Sequence, residues 1–198
     1  MQFVKEQQHK SLTILEANFN LMELYCGNAN HSVALAPLFD NIFGVEINPV
    51  LIEAAKQNCE NNSITNVRVV QGDCRRFCDF IHTNKQDTRD NVSTLQVACP
   101  VQVTGAEKRG RDGENATAEQ IKTSVILVDP PRGGLDENSC KFLTNFSHAV
   151  YISCNPQSLL RDMKHICRTH EIARFAFLDH FPYTKHVECA VLFIRRHQ

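Results

Sequence analysis

The amino-acid sequence predicts an α/β fold in which a seven-stranded, mostly parallel sheet is covered by helices on both faces. Apolar runs of strand length alternate along the chain with segments whose apolar residues recur at helical spacing. These runs are almost continuously apolar, which is typical of strands buried on both faces. A length of 198 residues suits one domain or one domain with a long insertion.

The first half of the chain contains a β-α-β-α-β series. The predicted strands are 21–25, 41–47 and 67–72, with a helix after Asn30 and a second helix at 49–61. The second helix begins with a proline, which suits a first turn, and it ends at an asparagine-rich stretch. This alternation predicts parallel strands joined by crossover helices.

A polar insertion interrupts the pattern at about 82–122. This stretch has no aromatic residue and is rich in Thr, Asn, Gln, Asp and Gly. Such a composition cannot bury enough apolar surface to order itself, so we expect a disordered insertion. The chain is therefore interpreted as a single domain, 1–198, that carries this insertion.

Regular elements return after the insertion and complete the sheet. The predicted strands here are 124–128, 149–153, 173–179 and 187–194, with helices at about 136–146 and 157–167. Seven strands result for the whole chain. Ligands of such sheets bind at the carboxyl ends of the strands, where we therefore look for functional residues.

Composition excludes several classes of protein. No stretch approaches the roughly 20 apolar residues that span a bilayer, and the amino terminus lacks the features of a secretory signal. Nine scattered cysteines, several of them inside apolar runs, predict free thiols in a reducing compartment. We expect an intracellular protein with no membrane segment; the cytoplasm is favoured, with the nucleus and organelles left open.

Neither a metal site nor a broadly basic surface is predicted. Cys74 and Cys78 lack the matching second pair that a structural zinc site needs. The formal net charge is −1, although residues 161–196 carry seven Lys/Arg against four Asp/Glu. Any RNA-binding surface must therefore be local.

The ends of the first two strands suggest a nucleoside cofactor. Gly27 follows the first strand, and Glu46, at the end of the second, lies 19 residues farther on, which is about the spacing of a ribose-binding carboxylate. A tight turn would also explain Gly27. Asp73 after the third strand could face an adenine, but an aspartate in a solvated turn is the more common case.

The fourth strand ends in "VDPPRGGLD". Two prolines after Asp129 remove backbone donors and fix φ, so Asp129 and Arg132 are held rigidly beside the sheet edge. Such a turn suits the binding of a flat polar ring that has left a base stack. A plain structural turn would not need both the acid and the arginine.

Cys154 and Glu188 are the candidate catalytic pair. Cys154 follows the fifth strand, and a thiol beside Arg132 at this edge would favour the thiolate, although a lone cysteine is commonly a small core residue. Glu188 begins an apolar strand, where a raised pKa would suit a general base. His180 and His186 are alternative bases, but partly buried, hydrogen-bonded histidines are common in such turns.

Five stretches then carry a family resemblance: "ELYCGNAN", "GVEINP", "VDPPRGGLD", "YISCNPQSL" and "DHFPYTKHVECAVLF". Together they resemble the catalytic domain of the S-adenosylmethionine-dependent RNA 5-methyluridine methyltransferases, and the last stretch is most similar to the bacterial-type tRNA (uracil-5-)-methyltransferases. The match covers about 21–194 except the insertion. It implies a class I, Rossmann-like methyltransferase sheet.

The resemblance also implies roles for individual residues. Cys154 would add to C6 of a uracil, so that C5 can take the methyl group of S-adenosylmethionine, and Glu188 would remove the C5 proton. The residues implied to hold S-adenosylmethionine are Tyr25, Asn30, Glu46 and Asp129, and those implied to contact the nucleotide are Asp129 and Arg132. The favoured substrate is the T-loop uridine in the T-arm of tRNA, which must leave its stack.

Three departures from the family are visible. The family reads Gly-Asn-Gly-Asn where this chain has Ala29 in place of the second glycine; if that position needs a positive φ, we expect strain or weakened cofactor binding. The insertion is longer than the family's connector. The family's amino-terminal RNA-binding portion is absent here, so we expect a catalytic domain that a separate RNA-binding domain or chain could complement.

Other functions remain open on the sequence. A ribosomal RNA uracil-C5 methyltransferase would keep the same chemistry on another substrate, and a non-catalytic RNA-binding fragment would keep only the shape. A cytosine-C5 methyltransferase also uses cysteine, but it would leave the Glu188 motif unexplained. A nicotinamide-dependent oxidoreductase needs companion glycines that Gly27 lacks.

Overall fold

The computed structural model describes residues 20–78, 95–96, 120–121, 123–179, 182–184 and 187–196. Seven strands form one sheet in the order β3-β2-β1-β6-β7-β9-β8. Their bounds are β1 Asn20–Leu24, β2 Asn41–Glu46, β3 Val67–Gln71, β6 Thr123–Val128, β7 His148–Ser153, β8 His170–Leu178 and β9 Glu188–Arg195. The predicted seven-stranded sheet is confirmed.

The direction of the strands is mixed, as the predicted mostly parallel sheet allows. The pairs β1–β2, β1–β6, β2–β3 and β6–β7 are parallel, while β9 runs antiparallel to both β7 and β8. The carboxyl ends of β1, β2, β3, β6 and β7 therefore meet at one edge of the sheet. Because β9 is reversed, its first residue lies at that same edge.

Several helices begin where their sequences provide side-chain caps, but the helix that begins at Asn30 follows Ala29, which provides none. Their bounds are α1 Asn30–Leu35, α2 Pro49–Asn61, α3 Glu137–Leu143 and α4 Pro156–Ile166, with a 3₁₀ turn at Ala36–Leu38. The side chains of Asn48, Asp136 and Asn155 accept from backbone N–H groups in the first turns of α2, α3 and α4. The predicted bounds of α2 are confirmed at both ends, and residues 74–78 are also helical.

Two hydrophobic clusters lie on opposite faces of the sheet, which confirms the predicted coverage. The larger packs strand residues such as Tyr151 and Phe193 against Phe142 of α3 and Leu159 of α4. The smaller packs Leu21, Ile42 and Leu127 against the α1 and 3₁₀ segment. The sheet therefore lies between two packed layers, and its carboxyl edge is left between them.

Most of the predicted insertion at 82–122 lies outside the described residues. Within it, β4 (Leu95–Gln96) pairs antiparallel with β5 (Gln120–Ile121). Among the described residues, no helix is both long and apolar enough to cross a membrane.

Candidate functional site

The predicted site residues meet at the carboxyl edge of the sheet. Leu24 pairs with Val45 on one side and with Val128 on the other. The residues that follow these three are Tyr25, Glu46 and Asp129, which therefore lie level across three neighbouring strands. Cys154 follows β7 and Glu188 begins β9, so both belong to the same edge.

Cys154 and Glu188 are brought together by the ladder between β7 and β9. The last pair of that ladder joins Ser153 to Cys189, and continuing it by one residue sets Cys154 opposite Glu188. Side chains directly opposite one another in an antiparallel pair have Cβ atoms about 4.5–5.5 Å apart. Both residues are half-buried, so each side chain keeps part of its surface accessible at this edge.

Asp129 lies among other acidic groups. Burial raises the pKa of the Asp129 carboxyl, the negative charges of Glu188 and Glu23 raise it further, and His31 opposes them. Asp129 is therefore electrostatically coupled to the candidate base on β9 and to two residues near β1. One charged cluster spans three strands.

The loop after β1 uses positive φ three times. Tyr25, Gly27 and Ala29 have φ values of 61°, 55° and 62°. A side chain in this region costs an L-residue about 1–2 kcal/mol, so the expectation that Ala29 strains the loop is confirmed. A Cβ added to Gly27 would meet nothing within 4 Å, which means that open space lies beside its backbone.

Glu46 ties this loop to the start of α2. One carboxylate oxygen accepts from the Gly27 N–H at 3.0 Å, and the other accepts from the Asn48 N–H at 2.8 Å. Glu46 is almost fully buried. Each oxygen retains a further lone pair, so the same carboxylate can hold the loop and still accept from a ligand hydroxyl.

Tyr25 and Asn30 lie on either side of this loop. The Tyr25 ring packs against the larger core cluster, and burial raises the pKa of its hydroxyl well above its ordinary value. Its backbone N–H donates to the Cys74 sulfur at 3.2 Å. Asn30 is exposed at the start of α1. The structure thus leaves Asn30 free to approach a ligand and holds most of the Tyr25 side chain inside.

Asn155 joins the two loops that carry Cys154 and the residues predicted to contact a nucleotide. Its side-chain N–H₂ donates to the Arg132 carbonyl at 2.9 Å, and its side-chain oxygen caps α4 through the Gln157 N–H. The Arg132 side chain is exposed. The Cys-Asn-Pro sequence therefore fixes Cys154 with respect to the Asp129–Arg132 turn.

A buried acid pins the far side of that turn. Asp162 of α4 accepts from the Leu135 N–H and from the Tyr151 hydroxyl, both at 2.7 Å. Its neighbour Arg161 donates to the Gly133 and Leu135 carbonyls at 2.8 and 3.0 Å. We call this set the α4 anchor: Arg161, Asp162, Tyr151 and Leu135. It holds the second half of "DPPRGGLD" against α4.

Sequence reasoning missed a buried acid at the same edge. Glu23 of β1 is fully buried and accepts from the Ser32 hydroxyl and, at 3.3 Å, from His31 Nδ1. The hydrogen bond to Glu23 raises the pKa of His31 despite an opposing effect of burial. The signal was an ionisable residue inside an otherwise apolar strand, "LMELY", which is costly unless it is paired.

Thiol and metal chemistry adds little elsewhere. Free thiols are present at Cys26, Cys74, Cys78, Cys140, Cys154, Cys167 and others within the described ranges. Burial raises the pKa of the Cys74 and Cys140 thiols to about 12, so both are inert at neutral pH. In the part of the chain that the structure describes, no three His, Cys, Asp or Glu residues are grouped to hold a metal ion.

Comparison with known proteins adds relatives by sequence. The family model described as tRNA (uracil-5-)-methyltransferase matches residues 10–196. The tRNA/tmRNA (uracil-C(5))-methyltransferase of Sodalis glossinidius is 37% identical over 180 residues, which cover 91% of this chain and 42% of the relative. That of Pseudoalteromonas translucida is 35% identical, covering 87% of this chain and 41% of the relative. The chain spans about two fifths of the length of these relatives.

Solved structures agree on the fold. The Pyrococcus abyssi tRNA (uracil-54, C5)-methyltransferase, in complex with S-adenosyl-L-homocysteine, matches with a TM-score of 0.61 and 23% identity, covering 95% of this chain and 37% of that one. An rRNA methylase from Streptococcus thermophilus matches with a TM-score of 0.58 and 7% identity, covering 96% and 95%. These likenesses show a methyltransferase fold. With the sequence match over nearly its whole length, the chain belongs to the tRNA (uracil-5-)-methyltransferase family.

Proposed function

We propose that this chain is the catalytic part of an enzyme that methylates C5 of a uridine in RNA with S-adenosylmethionine as methyl donor, through a covalent bond between Cys154 and C6 of the base. The observation that carries the proposal is the register that sets Cys154 opposite Glu188 at the carboxyl edge. Family membership supports the reaction type. The T-loop uridine 54 of tRNA is the proposed target. The name of the Sodalis glossinidius relative supports a tRNA or tmRNA substrate, and the name of the Pyrococcus abyssi enzyme supports position 54.

The loop after β1 fits the cofactor. Backbone at positive φ and open space beside Gly27 allow a ligand to approach the main chain closely. Glu46 retains lone pairs for ribose hydroxyls, as acids at this position of such sheets do. Asn30 and Asp129 complete the proposed binding set, with Tyr25 contributing its backbone and the exposed part of its ring. When bound, S-adenosylmethionine supplies an electrophilic methyl group on a sulfonium.

Covalent addition of Cys154 compensates for the weak nucleophilicity of uracil C5. Addition of the thiolate to C6 places an electron pair on the C4–C5 enolate, which makes C5 nucleophilic. Asn155 holds the loop that carries Cys154, and its hydrogen bond to the Arg132 carbonyl keeps the thiol beside the Asp129 turn. Arg132, which is exposed in this turn, is the proposed further contact with the flipped nucleotide.

Glu188 then completes the cycle. Once C5 carries the methyl group, its proton must leave before the carbon–sulfur bond can break and return the thiolate. When the register of β7 and β9 is continued by one residue, Glu188 lies opposite Cys154, which supports a role for Glu188 beside the target base. We propose that it accepts the C5 proton, while Asp129 borders both the base and the cofactor.

Trapping with a fluorinated substrate tests the nucleophile. The chain is incubated with S-adenosylmethionine and a T-arm hairpin that carries 5-fluorouracil at the target, then analysed by denaturing gel and intact mass. Fluorine cannot leave as a cation, so a methylated covalent adduct should accumulate. Cys154→Ala should abolish it, while the matched Cys167→Ala, at the far end of α4, should leave it unchanged. A folded wild-type chain that forms no adduct would favour a non-catalytic RNA-binding fragment.

The base is tested with the ordinary uracil hairpin. Glu188→Gln should accumulate adduct, because thiol addition can proceed but release of the C5 proton cannot. Glu171→Gln, on exposed β8 at the opposite edge of the sheet, is the matched control and should behave as wild type. Normal turnover by Glu188→Gln would remove Glu188 as the base. An rRNA hairpin in parallel distinguishes the two substrate classes.

A further inference from the structure

The pair formed by His31 and Glu23 has no role in the chemistry proposed above. His31 lies in the first turn of α1, and 40% of its side chain is exposed. Nδ1 bonds Glu23, which is fully buried on β1 and is also bonded by the Ser32 hydroxyl. Within the described part of the chain, no hydrogen bond engages His31 Nε2. Glu23 thus fixes the imidazole ring and leaves its second nitrogen directed away from β1.

The surroundings of His31 favour its positive charge. Two carboxylates face it: Glu23 on β1 in direct contact, and Asp129 after β6 at longer range. Their effect on the pKa of His31 outweighs the opposing effect of burial, so the pKa lies above the ordinary value of 6.5. The positively charged form of the imidazole is therefore favoured, at an edge that also carries Glu46, Asp129 and Glu188.

The strand order assigns a direction to the bound cofactor. Glu46 ends β2 on one side of β1, while Asp129 and Cys154 follow β6 and β7 on the other. With the ribose at Glu46, the donor sulfur must lie toward β6 for the methyl group to reach a base beside Cys154. An amino-acid arm attached to a sulfur in that position would lie near the ends of β1 and β6, where His31 and Asp129 lie.

That arm carries one ammonium and one carboxylate. Asp129 is complementary to the ammonium, and a protonated imidazole is complementary to the carboxylate. We propose that His31 binds the α-carboxylate of the cofactor through Nε2, with Glu23 as the positioning residue that orients the ring. This inference rests on the proposed use of S-adenosylmethionine.

Calorimetric binding of S-adenosylhomocysteine to the whole chain tests this without requiring turnover. His31→Gln should weaken binding about tenfold at pH 6, because a charge-assisted hydrogen bond is lost. His31→Arg, which keeps its charge at every pH used, should restore most of the affinity. His165→Gln, ten residues along α4 from its capped end, is the matched control and should bind as wild type.

The pH profile supplies a readout that a merely structural role would not move. Because the pKa of His31 is raised above 6.5, wild-type affinity should fall as the pH is taken from 6 to 9, relative to His31→Gln. The ratio of the two proteins cancels the titration of the ligand. His31→Arg should lack this extra dependence.

A truncated ligand separates the carboxylate contact from a loss of shape. 5′-Methylthioadenosine keeps the nucleoside and sulfur but lacks the amino-acid carboxylate, so His31→Gln should leave its affinity unchanged. Equal weakening for both ligands, or equal S-adenosylhomocysteine binding by wild type and His31→Gln at all pH values, would overturn this inference alone. A folded wild-type chain that binds neither ligand would instead remove the proposed function together with it.

Discussion

Asp162→Ala should destabilise the protein strongly, because it leaves two buried hydrogen-bond donors without an acceptor. Asp162 is 1% exposed, and it accepts from the Leu135 N–H and the Tyr151 hydroxyl at 2.7 Å each. A buried donor without an acceptor costs about 1–3 kcal/mol. The two donors together give an expected loss of about 2–6 kcal/mol, a large part of the roughly 5–15 kcal/mol that holds a typical domain folded.

The loss of the ion pair between Arg161 and Asp162 adds little to the expected loss of stability. Its side chain is more than half exposed, so water can replace Asp162 as its partner. Tyr151→Phe removes one donor together with its need for an acceptor and should cost only about 1 kcal/mol. The double variant should therefore lose less than the sum of the two single losses, with a coupling energy of about 1–2 kcal/mol.

The free energy of unfolding is measured for the wild type, Asp162→Ala, Tyr151→Phe and the double variant by urea denaturation. Far-UV circular dichroism follows the unfolding, since the chain has no tryptophan to report by fluorescence. Glu137→Ala removes an exposed acid of α3 whose ion pair is with the exposed Lys141, and it serves as the control with little expected change. A loss below 1 kcal/mol for Asp162→Ala, or no coupling with Tyr151→Phe, would refute the reasoning that the α4 anchor is a buried, satisfied network.

Three further predictions follow from the same structure. Ala29→Gly relieves about 1–2 kcal/mol of backbone strain, but it loses a buried methyl group worth about 0.8 kcal/mol and increases the entropy of the unfolded chain. The free energy of unfolding, measured by urea denaturation, should therefore change by less than about 1 kcal/mol. A loss above about 2 kcal/mol would contradict the strained conformation. Asn155→Ala removes a helix cap and the hydrogen bond to the Arg132 carbonyl. It should lower the free energy of unfolding by about 1–2 kcal/mol and speed amide hydrogen exchange in the Arg132 loop. Unchanged exchange would argue against the hydrogen-bonded connection between the two loops. Burial lowers the pKa of His170, whose Nε2 bonds the Phe146 carbonyl. As the pH falls, the unfolded chain therefore binds this proton before the folded chain does, and the free energy of unfolding should fall below about pH 6.5. His170→Gln should lose stability less steeply with falling pH, and an equal slope in the two proteins would count against the assignment.

Much of the fold follows from local sequence because each element carries its own signal. The α2 helix was predicted at both ends, since Pro49 fixes the first turn and the asparagine-rich end stops it. The apolar strands and their order along the chain were equally readable. The reversal of β9 was not, because strand direction depends on pairing with β7 and β8 rather than on any residue within β9.

The site was predicted where strand ends met motif residues, and missed where contacts depend on turn geometry. Cys154 and Asp129 each follow an apolar run, so their common edge could be inferred. Glu188 begins an apolar run, and it reaches that edge only because β9 is reversed. The bonds from Ser32 and His31 to Glu23 exist only because the positive-φ turn brings α1 back over β1. Likewise, nothing local in Asp162 indicates that it binds a loop 27 residues away.

The hydrogen-bonded ladder between β7 and β9 makes the spacing of Cys154 and Glu188 independent of the chain that joins them. That connection runs through α4 and β8, yet the two residues are separated by one inter-strand step. Insertions, deletions or a break near residues 167–169 can alter the connection without changing the distance across the site. A circular permutant opened at residues 167–169, with the original ends linked, should keep Cys154 and Glu188 in register. The same turn is therefore the place to divide the chain for reconstitution from two fragments.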